Sequence, residues 1–408
     1  MRNLIIILFF PICALSQTVD YNHGISWNTN FIIESNNLDK SFLETMLYGG
    51  YITAEMKEKW INKNNNNNLI NFEFSNSINR TYKFKKGHIG FSVADRNLLN
   101  AKITNDFLRL TLEGNNNYQD KKLDFSNTNI RAERFQQYKI TYAKEIKNMQ
   151  IKSGISFLNG NHHLSYIIRR GDLYTAPFGS SVNLDYNINA FMTDTSNFSL
   201  FTNNGNGIAF DIGLNFNFQN KNIDLSITDL GFIMWNTSSN TFFTDSSFNF
   251  QGIEIDNIFD FNDSILEANN LIDDIPQSKN NSFKSYIPAI LHLSVSGQTQ
   301  NNYLKTYTIG VFARWQPYSD VNLLEIENGI IESNYTPLYY IQSVFKTKYL
   351  NIFPKISYGG YTQDINFHLA ASYGKTHQIT LGSNHIEQFL KKENHNALSL
   401  YLILSTKI

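Results

Sequence analysis

The sequence predicts an all-β chain closed into an antiparallel transmembrane barrel of about fourteen strands, with roughly sixteen the next even count and a few short helices in lumen or loops. Three observations carry this expectation. Apolar and polar residues alternate with period two through nearly the whole chain, which puts successive side chains on opposite faces of a strand. The polar partners in that alternation are Asn, Ser, Thr, Gly and Tyr, where a solvated sandwich face would favour Lys and Glu. The last alternating row runs to Ile408, where closure of a ring requires a strand.

Composition narrows the classes further. Of 408 residues, 42% are hydrophobic, 14% aromatic and only 17% charged, with a formal net charge of −1. Soluble domains carry about 25% charged residues. The 32 Phe and 22 Tyr exclude a disordered chain. A neutral balance excludes a nucleic-acid protein, which needs a basic excess to neutralise phosphates.

Met1-Arg2-Asn3, the apolar run Leu4–Phe10 and the small residues of Ala14-Leu15-Ser16 have the order of a secretory signal peptide. The run is far shorter than the ~20 residues of a spanning helix. Cleavage is expected between Ser16 and Gln17, removing residues 1–16 and leaving 17–408 as one barrel domain. Pro11-Ile12 before Cys13 fits poorly with a lipoprotein leader. Cys13, the one cysteine, would leave with the leader, so no disulfide framework, thiolate metal site or cysteine nucleophile is expected. An exported chain of this kind suits a bacterial envelope, hence an outer-membrane location.

The alternating rows follow in order: Ile70–Ile78, Tyr138–Ile146, Ile151–Phe157, Val182–Met192, Ile208–Phe218, Ala289–Gly297, Tyr303–Trp315, Ile365–Tyr373 and Leu398–Leu404. Between Ile223-Leu225-Ile227 and Leu230-Phe232-Met234 the parity flips at Thr228-Asp229. A one-residue slip would turn every side chain to the wrong face, so a β-bulge is expected there, with a polar break as the alternative. Lys147-Asn148, Gln219–Asn222 and Gly374-Lys375 suit tight hairpins. Asn62–Asn68, Thr193–Gly207, Gln316–Pro337 and Asn384–Asn394 are longer and polar, and this asymmetry matches the two rims of an outer-membrane barrel. Tyr138, Tyr142, Tyr303, Trp315 and Tyr349 lie near strand ends, where headgroups favour Tyr and Trp.

Three stretches predict helices: Ser41–Trp60, broken at Gly49-Gly50; Thr104–Leu112; and the acidic amphipathic Asp256–Ile272. The first is expected to fill the lumen.

Several segments resemble one family. Leu110-Thr111-Leu112-Glu113-Gly114-Asn115, Tyr138–Ile146 and Gly154–Gly160 come first. Asp211-Ile212-Gly213, Asp229-Leu230-Gly231-Phe232-Ile233-Met234-Trp235 and Gln251-Gly252 follow. Together, over about residues 20–408, they are similar to uncharacterised outer-membrane β-barrels of Bacteroidota, a domain-of-unknown-function family. The resemblance implies distant similarity to long-chain fatty-acid transporters and to barrels of gliding and type IX secretion. It brings no functional residues, and the Asn-Pro-Ala element of the fatty-acid transporters is absent from Gln17–His23.

The sequence offers no catalytic, cofactor-binding or metal-ligating residues. His162-His163 is the one adjacent histidine pair; neighbouring strand residues diverge, so it reads as a solvated pair near a turn. His162 and Ser165, three apart, fall on opposite faces and do not form a nucleophile–base pair. Asp256, Asp260, Asp263, Asp273 and Asp274 do not follow the calcium-loop spacing. Asn204–Gly207 reads as a turn. No enzyme and no cofactor are expected. The leading function is passage or binding of a small, hydrophobic compound across the outer membrane, with outer-membrane lipid as surroundings. The alternative is a structural barrel docking an envelope or surface protein; the third reading is a soluble periplasmic β-protein.

Overall fold

In the computed structural model, residues 24–62, 67–194, 199, 201–250, 279–317, 334–390 and 396–408 are described. The leader with its Ser16–Gln17 junction and the expected helix Asp256–Ile272 lie outside them.

Fourteen strands form the ring. It begins β1 (Gly24–Ser35), β2 (Asn67–Phe84), β3 (Gly87–Thr104), β5 (Thr128–Ile146) and β6 (Met149–Thr175). It continues β8 (Gly205–Phe218), β9 (Lys221–Trp235), β13 (Ala289–Gln298), β14 (Leu304–Trp315) and β15 (Thr336–Lys346). It ends β16 (Leu350–Gly360), β17 (Asp364–Tyr373), β18 (His377–Ser383) and β19 (Ala397–Lys407). Every neighbour is antiparallel, and β19 returns to β1 in a register running from Gly24↔Lys407 to Glu34↔Ala397. The terminal row is thus the closing strand that the sequence predicts.

Six tight turns lie at one end, at 85–86, 147–148, 219–220, 299–303, 347–349 and 374–376. Gln219 and Asn220 both have positive φ, the backbone of a two-residue hairpin whose twist matches its strands. Most of the longer connections leave from the opposite end.

Parity sorts the two faces. Phe210 and Ile212 are 48% and 60% exposed, while Asp211 between them points into the lumen. Ile78, Phe91, Ile140, Ile309 and Ile379 repeat this outward exposure on other strands. A soluble surface rarely carries so continuous an apolar belt.

The expected bulge is present. Phe210 pairs with Leu230 and Ile212 with Ile227, so Thr228 and Asp229 together face one residue, Asp211. Asp229 adopts φ +59°, and both bulge residues turn inward, restoring the outward phase of Leu230 and Met234.

Two expectations require correction. The Val182–Met192 row is β7 (Val182–Met192), which stands outside the ring. The lower half of β6 pairs with β8, whereas from Leu164 onward it pairs with β7, which in turn pairs with β10 (Asn240–Phe250). The short strands β4 (Lys122–Asp124), β11 (Lys279–Asn280) and β12 (Lys284–Tyr286) pair with β6, β10 and β9 respectively. Alternation reports a two-faced sheet and is blind to whether that sheet closes.

The helices sit in the loops and not in the lumen. Around α1 (Lys40–Tyr48), α2 (Ala54–Ile61) and α3 (Asn105–Glu113), Leu38 just before α1, Trp60 of α2 and Leu108 of α3 pack against Ile70 and Ala101. Ile70 shares the parity of outward Ile78, and Ala101 that of outward Phe91, so these helices cover the ring's outer face beyond the belt. A fourth, α4 (Glu387–Leu390), lies between β18 and β19. Asp39 caps α1, receives the Trp60 indole N–H at 3.3 Å and pairs with Lys59 at 2.8 Å. Burial raises its carboxyl, but Lys59, the Ser41 hydroxyl and the Phe42 N–H together bring it down to about 2.

Deleting Ala397–Ile408 should prevent folding, because it strips β1 and β18 of a partner and leaves two open edges. Heat-modifiable gel mobility and protease resistance measure this. A protease-resistant truncated product at wild-type yield would contradict the closure.

Candidate functional site

The ring encloses a cavity of about 650 Å³ that reaches nearly every barrel strand. Its wall follows from parity: on β1–β3 the inward positions are small and polar, among them Ser26, Asn28, Ser75, Ser77 and Ser92. Across the lumen the wall is aromatic and cationic, with His292, Phe312, Arg314 and Lys355.

The first charged cluster is built on the bulge. Asp229 is 7% exposed and receives Arg96 Nη1 and Lys139 Nζ, each at 2.8 Å, and Gln137 Nε2 at 2.7 Å. Lys139 also reaches Asp211 at 2.7 Å, and the Asp229 backbone N–H donates to Asp211 Oδ1 at 2.8 Å. Two cations and two anions are therefore held together by β3, β5, β8 and β9. The bulge creates this cluster, since an unbulged β9 would turn Asp229 to the outer face.

A second pair crosses the whole lumen. Glu73 on β2 is ion-paired with Arg314 on β14, and these strands stand on opposite sides of the ring. The rings of Tyr335 and Tyr361 lie 5.5 and 5.7 Å from the Arg314 guanidinium carbon. Toward the loop end more bonds cross. Gln316 Nε2 donates to Glu133 Oε1 at 2.8 Å and Arg131 Nη2 to the Pro317 carbonyl at 2.7 Å. Asn334 Nδ2 donates to Asn100 Oδ1 at 2.6 Å and Asn129 Oδ1 at 3.0 Å. Both described ends of the β14–β15 connection are thus tied to the far wall.

The third group is a stack. His292 lies 4.5 Å from Phe312 and Phe312 5.5 Å from Tyr340, with interplanar angles of 22° and 25°. The Tyr340 hydroxyl and a His292 ring nitrogen are 2.9 Å apart, and Asp224 joins His292 to Lys152 at 3.4 and 3.2 Å. Hydroxyls and amides on one side and flat rings with cations on the other suit a small molecule with an apolar face and a polar group.

The histidine pair is not a solvated turn. It lies within β6, where Asn161 is the extra residue between Arg134↔His162 and Phe135↔Gly160. The two rings do diverge. His163 is buried against Trp235 and Phe283 at 5.3 and 5.2 Å, and its Nε2 lies 2.8 Å from Ser165 Oγ while Nδ1 lies 3.5 Å from Glu133. Ser165 is thus joined to His163, two residues away on the same face, and not to His162. The three side chains form a polar chain sealed in an aromatic core.

Asn204–Gly207 is likewise not a turn, because Gly205 opens β8. Glycine is required there for contact: a Cβ on Gly160 or Gly205 would come within 2.6 or 2.9 Å of the Trp235 ring. Trp235 donates its indole N–H to Ser285 Oγ at 2.8 Å. Among the described residues no cluster of three or more His, Cys, Asp or Glu is placed to hold a metal ion. The five aspartates between 256 and 274 lie outside the described residues.

Sequence reasoning did not single out Glu73, Arg96, Lys139 or Arg314. Their signal is a charged residue at the inward parity of an alternating row.

The chain belongs to a family of unknown function, DUF5723, whose model matches residues 15–338. No curated protein matches it. Among solved structures it is similar to the toluene transporter TbuX of Ralstonia pickettii, at 9% identity and a TM-score of 0.44, over 95% of this chain and 90% of that one. It is also similar to the toluene transporter TodX of Pseudomonas putida, at 8% identity and a TM-score of 0.42, over 95% and 90%.

Asp229→Ala should cost about 3–5 kcal/mol, because Arg96 and Lys139 lose a buried counter-ion. Urea titration followed by gel mobility measures the loss. A midpoint equal to that of the wild type would show that Asp211 alone satisfies both cations.

Proposed function

We propose that the chain is an outer-membrane barrel that takes a small compound of mixed polarity, hydrophobic compounds included, into the pocket within its lumen. The outward apolar belt supports a lipid setting, because a sheet placed in hydrocarbon must close on itself and face lipid with apolar side chains. Among the described residues no helix is long and apolar enough to cross a membrane. Export through a signal peptide of residues 1–16, cleaved before Gln17, is part of this reading, as is a single barrel domain over 17–408.

The observation that carries the function is the 650 Å³ pocket, small and polar on one wall, aromatic and cationic on the other. The Glu73–Arg314 pair spans it, so passage along the lumen requires that pair to part. No catalytic step belongs to this reading.

The second reading, a barrel docking an envelope or surface protein, draws on the β6–β7–β10 sheet that leaves the ring. Planar-bilayer recording separates the two. The pocket reading predicts low conductance for the wild type and a marked rise for the double variant Glu73→Ala, Arg314→Ala. Equally low conductance from a folded double variant would favour docking.

Facing gives a further check. Arg in place of Ile212, on the belt, should cost roughly 2–4 kcal/mol, whereas Arg at Asn215 enters the lumen beside Asp224 at smaller cost. Equal losses in folded yield in lipid vesicles would contradict the assignment of faces.

A further inference from the structure

The rim formed by the six tight turns is cationic all the way round. Lys85 and Lys86 form the β2–β3 turn, Lys147 lies in the β5–β6 turn and Lys221 follows the β8–β9 turn. Lys305 follows the β13–β14 turn, Lys348 lies between β15 and β16, and Lys375 between β17 and β18. Lys407 marks the closing strand. All of these side chains are exposed. Among the described residues of this rim Glu145 is the one acidic side chain; Asp224, the next acid inward, is engaged by Lys152 and His292. The chain as a whole carries −1, so this run of lysines does not reflect a general basic excess.

A second feature runs beside the first. Phe84, Tyr142, Phe218, Tyr303, Tyr349 and Tyr373 are exposed aromatics at the same strand ends. Lys221 Nζ donates to the Tyr307 hydroxyl at 2.5 Å, and Lys348 Nζ lies 5.2 Å from the Tyr349 ring centre. Amphipathic rings mark headgroup depth, and lysines there extend their charge outward along an apolar stem.

We infer that this rim is a cationic collar that holds anionic phospholipid headgroups of the leaflet on the tight-turn side. The inference rests on the membrane reading proposed above. Perimeter decides for lipid over an acidic protein: a docked protein covers one sector, whereas a leaflet meets every turn. Residue type agrees, since exposed lysines are mobile point charges suited to diffuse phosphate attraction, unlike the fixed fork of arginine.

The test uses the full chain, refolded into vesicles of phosphatidylcholine alone or mixed equally with phosphatidylglycerol. Gel mobility scores insertion, and mass spectrometry of gently extracted protein scores retained lipid. The wild type should retain phosphatidylglycerol over phosphatidylcholine by at least about fivefold, the discrimination one lysine near an anionic surface supplies. The preference should collapse in 1 M salt, where the screening length is about 3 Å. A variant with Lys85, Lys86, Lys147 and Lys375 each changed to Gln should insert and lose most of the preference, and Arg at the same positions should restore it. If the Gln variant misfolds, the salt series on the wild type decides alone. Equal retention of both lipids by inserted protein, or a preference indifferent to salt, overturns the inference while leaving the membrane reading intact. Failure to insert into either vesicle overturns both.

Discussion

Backbone hydrogen bonding around a closed circle is the constraint from which the rest of this structure follows. β1 must satisfy two partners, β2 and β19, and it does so along nearly its whole length on both sides. An antiparallel ring of consecutive strands returns to its start only with an even count, and it places both ends of the ring at the same rim. Once the ring is closed, period-two geometry sends one set of side chains to the belt and the other to the lumen. Only beyond the belt does the chain depart from this scheme. There β6 leaves its partner β8 for β7, and helices cover outward faces that would otherwise be bare.

The bulge in β9 couples closure to the character of the lumen. By adding one residue opposite Asp211 it turns Asp229 inward without disturbing the outward phase on either side. The inward carboxylate then gathers Arg96 and Lys139 from strands some distance away around the ring. The same motif continues through Gly231, where a Cβ would collide with the Ile208 carbonyl, to Trp235 lying over Gly160 and Gly205. Its spacing therefore has a physical reason at each end: an anion for the lumen and an aromatic for the core above it. With Glu73–Arg314 reaching across, opposite walls of the interior are bridged.

Much of this was legible in the sequence, because alternation and parity are local properties. The barrel class, the terminal row as closing strand, the flip at Thr228-Asp229 and the breaks around Gly49-Gly50 can all be read from neighbouring residues. What was hidden depends on distant ones. Nothing in Val182–Met192 distinguishes a strand in the ring from one beside it. Nor does the pattern of Ser41–Trp60 say whether its apolar face meets the lumen or the outside of β2 and β3. The partnership of Glu73 with Arg314 joins residues far apart in the chain. His163 was misread as solvated because its cover, Trp235 and Phe283, comes from remote segments. The lysine ring is visible residue by residue, but it becomes a ring only when all six turns are known to share one end.

The most direct test of the account is a cross-link between the first and last strands. Thr29 lies opposite Leu402, and Cys13 is the chain's one cysteine. In a Cys13→Ser background, Thr29→Cys with Leu402→Cys should form a disulfide in folded, membrane-inserted protein, seen as a mobility shift under denaturing, non-reducing conditions. Thr29→Cys with Ser405→Cys, three residues out of register, should not. Absence of the first cross-link in folded protein, or equal yields from both pairs, would contradict a ring closed in this register.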